Sequence, residues 1–434
     1  MKQIKSLDAI EILDSRGNPT VRVFLTLSDG EVVTASVPSG ASTGQFEAFE
    51  RRDADPARFN GKGVLGAVKS VQEEIGPAII GMNPEEQSQI DALMCALDGT
   101  ETKSRLGANA IIGVSMAVAR AGAYARAIPL YKHIAFLAGV ETDAFSLPVP
   151  GLNVINGGVH AKNNTIDFQE FMIVPHNAET FSESLRWSAQ TYQVLKDILA
   201  THHLATTVGD EGGFAPNLEN DAQACEFIVD AIQKSGFKAG RDIGIALDPA
   251  ASSFGSHADG YRFKKSTGKH LTRAELIDFY KGWVNRFPIL SIEDGVADDD
   301  WEGYAAMNLA LGSHIQLVGD DNYVTNVKFI QRGIEEQSTN AALIKLNQIG
   351  TLTETIDAIS LCHKVGWNSV VSHRSGETED SFIADLAVGC GCSQIKTGAP
   401  CRGERLAKYN RLLEIEHELG ARATFSRPFK NHQW

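Results

Sequence analysis

Short apolar runs recur through the last two-thirds of this chain, and ionisable residues close six of them in succession. The runs cover 170–174, 243–247, 289–292, 315–318, 342–344, 369–371 and 393–395. Asp248, Glu293, Asp320, Lys345, His373 and Lys396 stand at the ends of the last six, at gaps of 45, 27, 25, 28 and 23 residues. All gaps but the first match one strand–helix unit apiece, and about 250 residues of such alternation predict a parallel barrel with an outer helical ring. Residues at the carboxyl ends of successive barrel strands converge on one face, where such barrels hold their active sites. One charged residue there reads as a solvated strand end; six in order do not.

The first 140 or so residues read differently. Alternation over 21–27 predicts a strand, turned by Ser28, Asp29 and Gly30 into a second strand at 31–35. Helical patterning follows at 64–75 and 108–127. The stretch 139–150, with two prolines and little periodicity, is the natural boundary. The expected architecture is therefore α/β: an N-terminal α+β capping domain over 1–138 and a TIM-like (β/α) barrel over 147–434.

At 434 residues, 43% hydrophobic and 22% charged, the chain can bury a large core without a staple. Its six cysteines are scattered, and the close pair Cys390 and Cys392 lacks a second pair to make a zinc site, so reduced thiols are expected. A net charge of −14 argues against nucleic acid and anionic membranes as partners. The longest apolar stretch, 108–131, is interrupted by Arg120 and Arg126 and rich in Ala and Gly, which suits a buried helix better than a membrane span. The amino terminus has no apolar leader pattern, and the cytoplasm is the expected compartment.

Three carboxylates from adjacent strands, Asp248, Glu293 and Asp320, make a hard all-oxygen site. Such a site suits Mg²⁺ better than zinc, and calcium fits on ligand type alone. Lys345 follows on the next strand, where burial and nearby cations would lower its pKa toward that of a general base. His373, Arg374, Ser375 and Lys396 supply charge and donors for a phosphate and a carboxylate. Metal, lysine and anion pocket together indicate removal of a proton next to a carboxylate, with the developing charge stabilised electrostatically. From the residues alone, the reading ends at a metal-assisted lyase or isomerase of an anionic acid.

Eleven segments in order then resemble the enolase family. They are LDSRGNPTVRV (13–23), VPSGASTGQFEA (37–48), NVINGGVHA (153–161), QEFMIVP (169–175), VGDEGGFAPN (208–217), LDPAASSF (247–254), SIEDGVADDDWEGY (291–304), VGDDNYVTN (318–326), LIKLNQIGTLTET (343–355), SHRSGETED (372–380) and IKTGAPCRGERLAKYN (395–410). The resemblance implies a Mg²⁺-dependent phosphopyruvate hydratase interconverting 2-phosphoglycerate and phosphoenolpyruvate in glycolysis and gluconeogenesis. A lysine base beside magnesium is the design of that superfamily's sites. It implies that Asp248, Glu293 and Asp320 hold one ion, and that Ser39, in the glycine-rich segment 39–44, completes a second site with the substrate. Lys345 would take the C2 proton, and Glu211 would act as the acid for the 3-hydroxyl, assisted by Glu170. Arg374 and Ser375 would bind phosphate and Lys396 the carboxylate. His160, Gln169 and His373 would line the pocket, with His373 in the catalytic group.

Several positions depart from the family pattern. The stretch from His160 to Glu170 is one residue longer than usual, and Pro249 and Ser253 are uncommon at their places. Arg22 and Glu414 reverse the usual charges of a pair that meets across the family's dimer interface. A homodimer with an inverted Arg22–Glu414 pair is expected. Two rival readings are another superfamily acid lyase and an additional surface-binding role, the latter weakened by the absence of a terminal lysine (Lys430 is followed by four further residues). Two lures are set aside: a GxGxxG match at 61–66 with no strand before it, and the acidic run 298–300, read as a solvated loop.

Overall fold

The computed structural model describes residues 2–40, 44, 46–140, 142–161 and 163–429. The tip of the glycine-rich segment (41–43 and 45) and the terminus from Lys430 onward lie outside them. The N-terminal part opens with an antiparallel meander of β1 (Ile4–Leu13), β2 (Pro19–Leu27) and β3 (Val32–Ser36). β1 is absent from the expected strands because its acidic residues break the alternation that marks β2. In β2, Val21, Val23, Leu25 and Leu27 point inward and are buried, while Arg22, Phe24 and Thr26 alternate outward.

Helix Ala108–Ala125 packs on the inner face of this sheet. A Cβ on its Gly113 would meet Val23 at 2.9 Å and Val37 at 3.0 Å, so the small residues serve close helix–sheet contact. Among the described residues no single helix is long and apolar enough to cross a membrane. The one bent pair that passes, Ala108–Ala125 with Leu130–Leu137, turns by 105°. The helix expected at 64–75 is present and runs on to Ile79, with a π-helical stretch, Ser70–Ile75, between Leu65–Lys69 and Gly76–Ile79.

The second part is a closed eight-stranded barrel of β4 (Val149–Asn156), β5 (Glu170–Val174), β6 (Gly244–Asp248), β7 (Ile289–Glu293), β8 (Gln316–Gly319), β9 (Ala341–Ile344), β10 (Asn368–Ser372) and β11 (Gln394–Lys396). Each strand neighbours the next, and β11 closes on β4. The expectation of a parallel barrel is corrected at one strand: β5 runs antiparallel to both neighbours. The reason is the connection before it. Among the described residues of 157–169 there is a four-residue 3₁₀ turn, Gly158–Ala161, and no longer helix, whereas a parallel crossover usually needs a helix to cover the sheet. The β5–β6 connection then carries two helices, Phe181–Thr201 and Asp221–Lys234.

The 45-residue first gap also has a structural cause. Between β6 and helix Arg273–Arg286 the chain makes a small three-stranded excursion from Gly255 to Leu271. β4 escaped the sequence reading because Pro150 and Gly151 sit within it at the domain boundary.

One hydrophobic core runs through both parts. They are joined by polar contacts as well. Asp91 accepts from Thr353 N at 3.0 Å and Oγ1 at 2.6 Å, and Arg120 makes a two-pronged pair with Asp380 at 2.7 Å. Ser39 and Gly376 exchange backbone bonds at 2.7 and 2.9 Å, which fixes the 37–40 strand end across the barrel mouth.

Candidate active site

Strand direction decides which side chains meet. Asp248 and Glu293 end β6 and β7, Asp320 follows β8, Lys345 follows β9, His373 follows β10 and Lys396 ends β11. Glu170 begins its strand instead of ending it. Because β5 is reversed, that start lies at the same rim, in register with Asp248 on one side and Asn156 on the other.

Two lysines hold the carboxylates. Lys396 Nζ lies 3.0 Å from Glu170 Oε2, 3.1 Å from Asp248 Oδ2 and 2.8 Å from Glu293 Oε1. Lys345 Nζ makes a short bond to Asp320 Oδ2, and Gln348 Nε2 donates to Asp320 Oδ1 at 2.9 Å. The expected lowering of Lys345 does not occur here. Burial pulls its pKa down, but Asp320 beside it, together with Asp321 and Glu293, outweighs that and sets it at about 12.

The rim carries more negative charge than these cations satisfy. Burial and then repulsion from Asp248 push Glu293 well above the carboxylate range; burial and Asp320 bring Asp294 to about 7 and raise Asp321 strongly. Oxygens of Asp294, Asp320 and Asp321 come within 4.8 Å of one another. Asp294 is already committed: its carboxylate accepts from Asp320 N at 2.9 Å, Asp321 N at 3.0 Å and Tyr304 OH at 2.7 Å. It braces the loop that presents Asp320. Crowded, all-oxygen and short of positive charge, this donor set fits a hard divalent cation.

The opposite wall is acid–imidazole. Glu211 Oε1 accepts from Ser375 Oγ at 3.2 Å and Oε2 from Asn153 Nδ2 at 3.1 Å. His160 Nδ1 stands 3.4 Å from Glu170 and 3.7 Å from Glu211, with its Nε2 3.2 Å from Ser375 Oγ. The longer 160–170 stretch therefore leaves His160 in the pocket. Buried Arg405 donates to His373 Nδ1 at 2.7 Å, so a neutral ring carries its proton on Nε2, which faces Glu211 at 3.4 Å. Burial and Arg405 push His373 down to about 4. The two buried carboxylates are driven apart. Burial and the neighbouring Glu211 raise Glu170; in Glu211 the burial penalty is outweighed by His160, His373 and Arg405, which hold it low.

At the mouth, Arg374 donates to both oxygens of Glu47 at 3.1–3.2 Å and to Asn347 Oδ1 at 2.7 Å. Gln169 lines the central pocket with the residues above. Ser39 is not drawn to the carboxylates: its Oγ donates to Glu50 Oε2 at 3.0 Å and accepts from Arg52 at 2.9 Å.

Asp294 and Asp321 were legible, each directly following a strand-end acid. Glu47, Asn153 and Arg405 were not singled out, because their partners lie far away in sequence.

The lures resolve physically. In the GxGxxG segment, Glu11 takes Val64 N at 2.8 Å while Asp53 takes Leu65 N at 2.9 Å and Gly66 N at 2.7 Å, leaving those donors occupied. The run 298–300 is only partly a solvated loop. Asp300 is buried, accepts from Gly303 N at 3.0 Å to cap helix Trp301–Leu311, and binds Tyr261 OH at 2.9 Å. Cys390 and Cys392 are buried free thiols.

Against known proteins, residues 4–134 match the family model described as enolase, N-terminal domain, and residues 144–432 that described as enolase, C-terminal TIM barrel domain. The chain is 56% identical to Enolase 1 of Methylococcus capsulatus over 426 residues, covering 98% of this chain and 99% of that protein. It is 56% identical to the Enolase of Desulfotalea psychrophila, over 97% and 99% of the two chains. To Enolase 1 of Methanospirillum hungatei it is 52% identical over 98% of each. Matched from end to end in both sequence segments, the chain belongs to the enolase family.

Proposed function

We propose that the protein catalyses the reversible dehydration of 2-phosphoglycerate to phosphoenolpyruvate, as a magnesium-dependent phosphopyruvate hydratase of glycolysis and gluconeogenesis. The observation that carries this reading is the placement of Lys345 after β9 and Glu170 on β5. They are four strands apart in an eight-stranded barrel, so a base and an acid pair face one another across one pocket. An elimination that removes a proton from one face and hydroxide from the other needs that opposition.

Lys345 takes the proton from C2. Glu211 delivers a proton to the departing 3-hydroxyl, assisted by Glu170, whose pKa is pushed up by burial and by the neighbouring Glu211. Asn153 and His373 keep the Glu211 carboxylate oriented. Arg374 and Ser375 bind the phosphate, Lys396 the carboxylate, and His160 and Gln169 close the pocket around them. Asp248, Glu293 and Asp320 would hold one Mg²⁺, and Ser39, released from Glu50 and Arg52, would complete a second site with the substrate. Such ions would supply positive charge beside the substrate carboxylate. Another superfamily acid lyase is the weaker reading, since Glu211, the Arg374–Ser375 pair and Lys396 lie together around one pocket.

The ultraviolet absorbance of the enol phosphate tests this directly. Product should form from 2-phosphoglycerate with Mg²⁺ and not with chelator, and Lys345→Ala should abolish it; a folded, Mg²⁺-binding protein without turnover would overturn the reading.

The proposal extends to the molecule's organisation: a capping domain over 1–138, a barrel over 147–434, and a cytoplasmic homodimer in which Arg22 of one protomer meets Glu414 of its partner. Within one chain Arg22 donates to Ser36 Oγ at 2.8 Å and lies 3.9 Å from exposed Glu379, while Glu414 is 3.1 Å from Arg411. These surface contacts are weak enough to exchange for one between subunits.

A further inference from the structure

Lys265 lies in the excursion between β6 and helix Arg273–Arg286, far in sequence from every residue given a chemical part above. An ammonium has three N–H donors, and here each finds an acceptor on one short segment. Gly158 O accepts at 2.7 Å, Ala161 O at 2.9 Å and Asn164 Oδ1 at 3.1 Å. The two carbonyls belong to the 3₁₀ turn Gly158–Ala161, which carries His160, and Asn164 lies three residues beyond it. A single helical turn leaves its last carbonyls without intrahelical partners, and a cation there is favoured.

The lysine is itself anchored. Lys265 N and Ser266 N donate to the Asp167 carboxylate at 2.9 and 3.0 Å, and Asp167 N donates in turn to Asp221 at 2.9 Å. Asn164 Nδ2 donates to Asn156 O at 2.8 Å, which ties the far side of the turn to the end of β4. At the other end of this chain of contacts, the imidazole of His160 touches Ser375 and faces Glu170 and Glu211.

We propose that Lys265 is a positioning residue, its ammonium closing the turn that carries His160 and so setting where that imidazole stands against Ser375 and Glu211. The proposal rests on the reading of His160 as part of the dehydration pocket. Without the ammonium, Gly158 O and Asn164 Oδ1 lose its donors, and Ala161 O keeps the Asn164 N–H at 3.1 Å. Acceptors left so must separate or admit water. His160 moves with them, and a displacement of about 1 Å near reacting groups costs on the order of a hundredfold in rate. Methionine would keep the bulk of the stem without a donor, whereas arginine would return donors in a different geometry.

A double-mutant cycle on the Mg²⁺-loaded protein tests this, with 2-phosphoglycerate turnover measured for wild type, Lys265→Met, His160→Ala and the double variant. Lys265→Met should lower kcat roughly 10- to 100-fold with a smaller change in KM. In the His160→Ala background the same substitution should cost less than about twofold. Lys265→Arg should recover part of the lost kcat. The proposal is overturned if Lys265→Met keeps wild-type kcat, or if the two losses multiply in the double variant, since Lys265 then does not act through His160. Should the methionine variant not fold, Lys265→Leu, likewise without a donor, carries the same cycle. If wild type itself has no turnover, the enolase reading fails first. The positioning claim is then judged from the His160 ring signals in histidine-labelled protein: a shift in Lys265→Met sustains it, and unchanged signals overturn it.

Discussion

His133 is a residue whose environment has a measurable consequence away from the pocket. Its ring presses on helix Ala108–Ala125 so closely that a Cβ on Gly122 would lie 2.5 Å from Nε2. Burial, and then Arg126, push its pKa down to about 4. The folded pKa is the lower one, so its stabilising contribution is complete above the unfolded value of about 6.5 and is lost as the pH falls toward 4. At most on the order of 3 kcal/mol is at stake across that window. His133→Met should therefore flatten the acid limb of stability: the urea midpoint of wild type should drop more between pH 7 and 4 than that of the variant. Parallel curves would contradict it. At this scale the strand-end residues were readable because chain position alone places them. Arg374 was readable too, but its present partner Glu47 was not, since that contact joins residues 327 positions apart.

Among the elements, those with a strong period were legible and those without were not. β2 alternates cleanly and was found; β1 and β4 do not, the first interrupted by acids and the second by Pro150 and Gly151. The reversal of β5 was the most consequential feature missed. Apolar runs carry no sign of strand direction; only the short 157–169 connection does. That reversal is what brings Glu170 to the rim, because a parallel β5 would have put Val174 there and Glu170 at the opposite end of the barrel. The 45-residue gap likewise had a physical meaning, the excursion that carries Lys265 back to the His160 turn. The acidic run at 298–300 was misread for a related reason: an aspartate just before a helix is as well suited to capping as to solvent, and Asp300 caps.

For the whole molecule, the two-part organisation followed from the change of pattern near residue 140. In the proposed homodimer, attraction between Arg22 and the partner's Glu414 would survive the reversal of both signs, and Arg22→Glu would set like charges together. That variant should sediment with a weakened dimer, most clearly at low salt, where exposed charges are least screened. An unchanged association across salt concentrations would show that the pair carries no weight. In the proposed reaction labour is divided across the barrel, with Lys345 removing the C2 proton and Glu211 serving the hydroxyl on the other side. The measurement that separates the two is exchange of deuterium from C2 of labelled 2-phosphoglycerate, followed beside phosphoenolpyruvate formation in Lys345→Ala and Glu211→Gln. Loss of both exchange and product in the lysine variant, with exchange retained and product lost in the glutamate variant, is the predicted result. Exchange that survives in Lys345→Ala, or disappears only in Glu211→Gln, would contradict it.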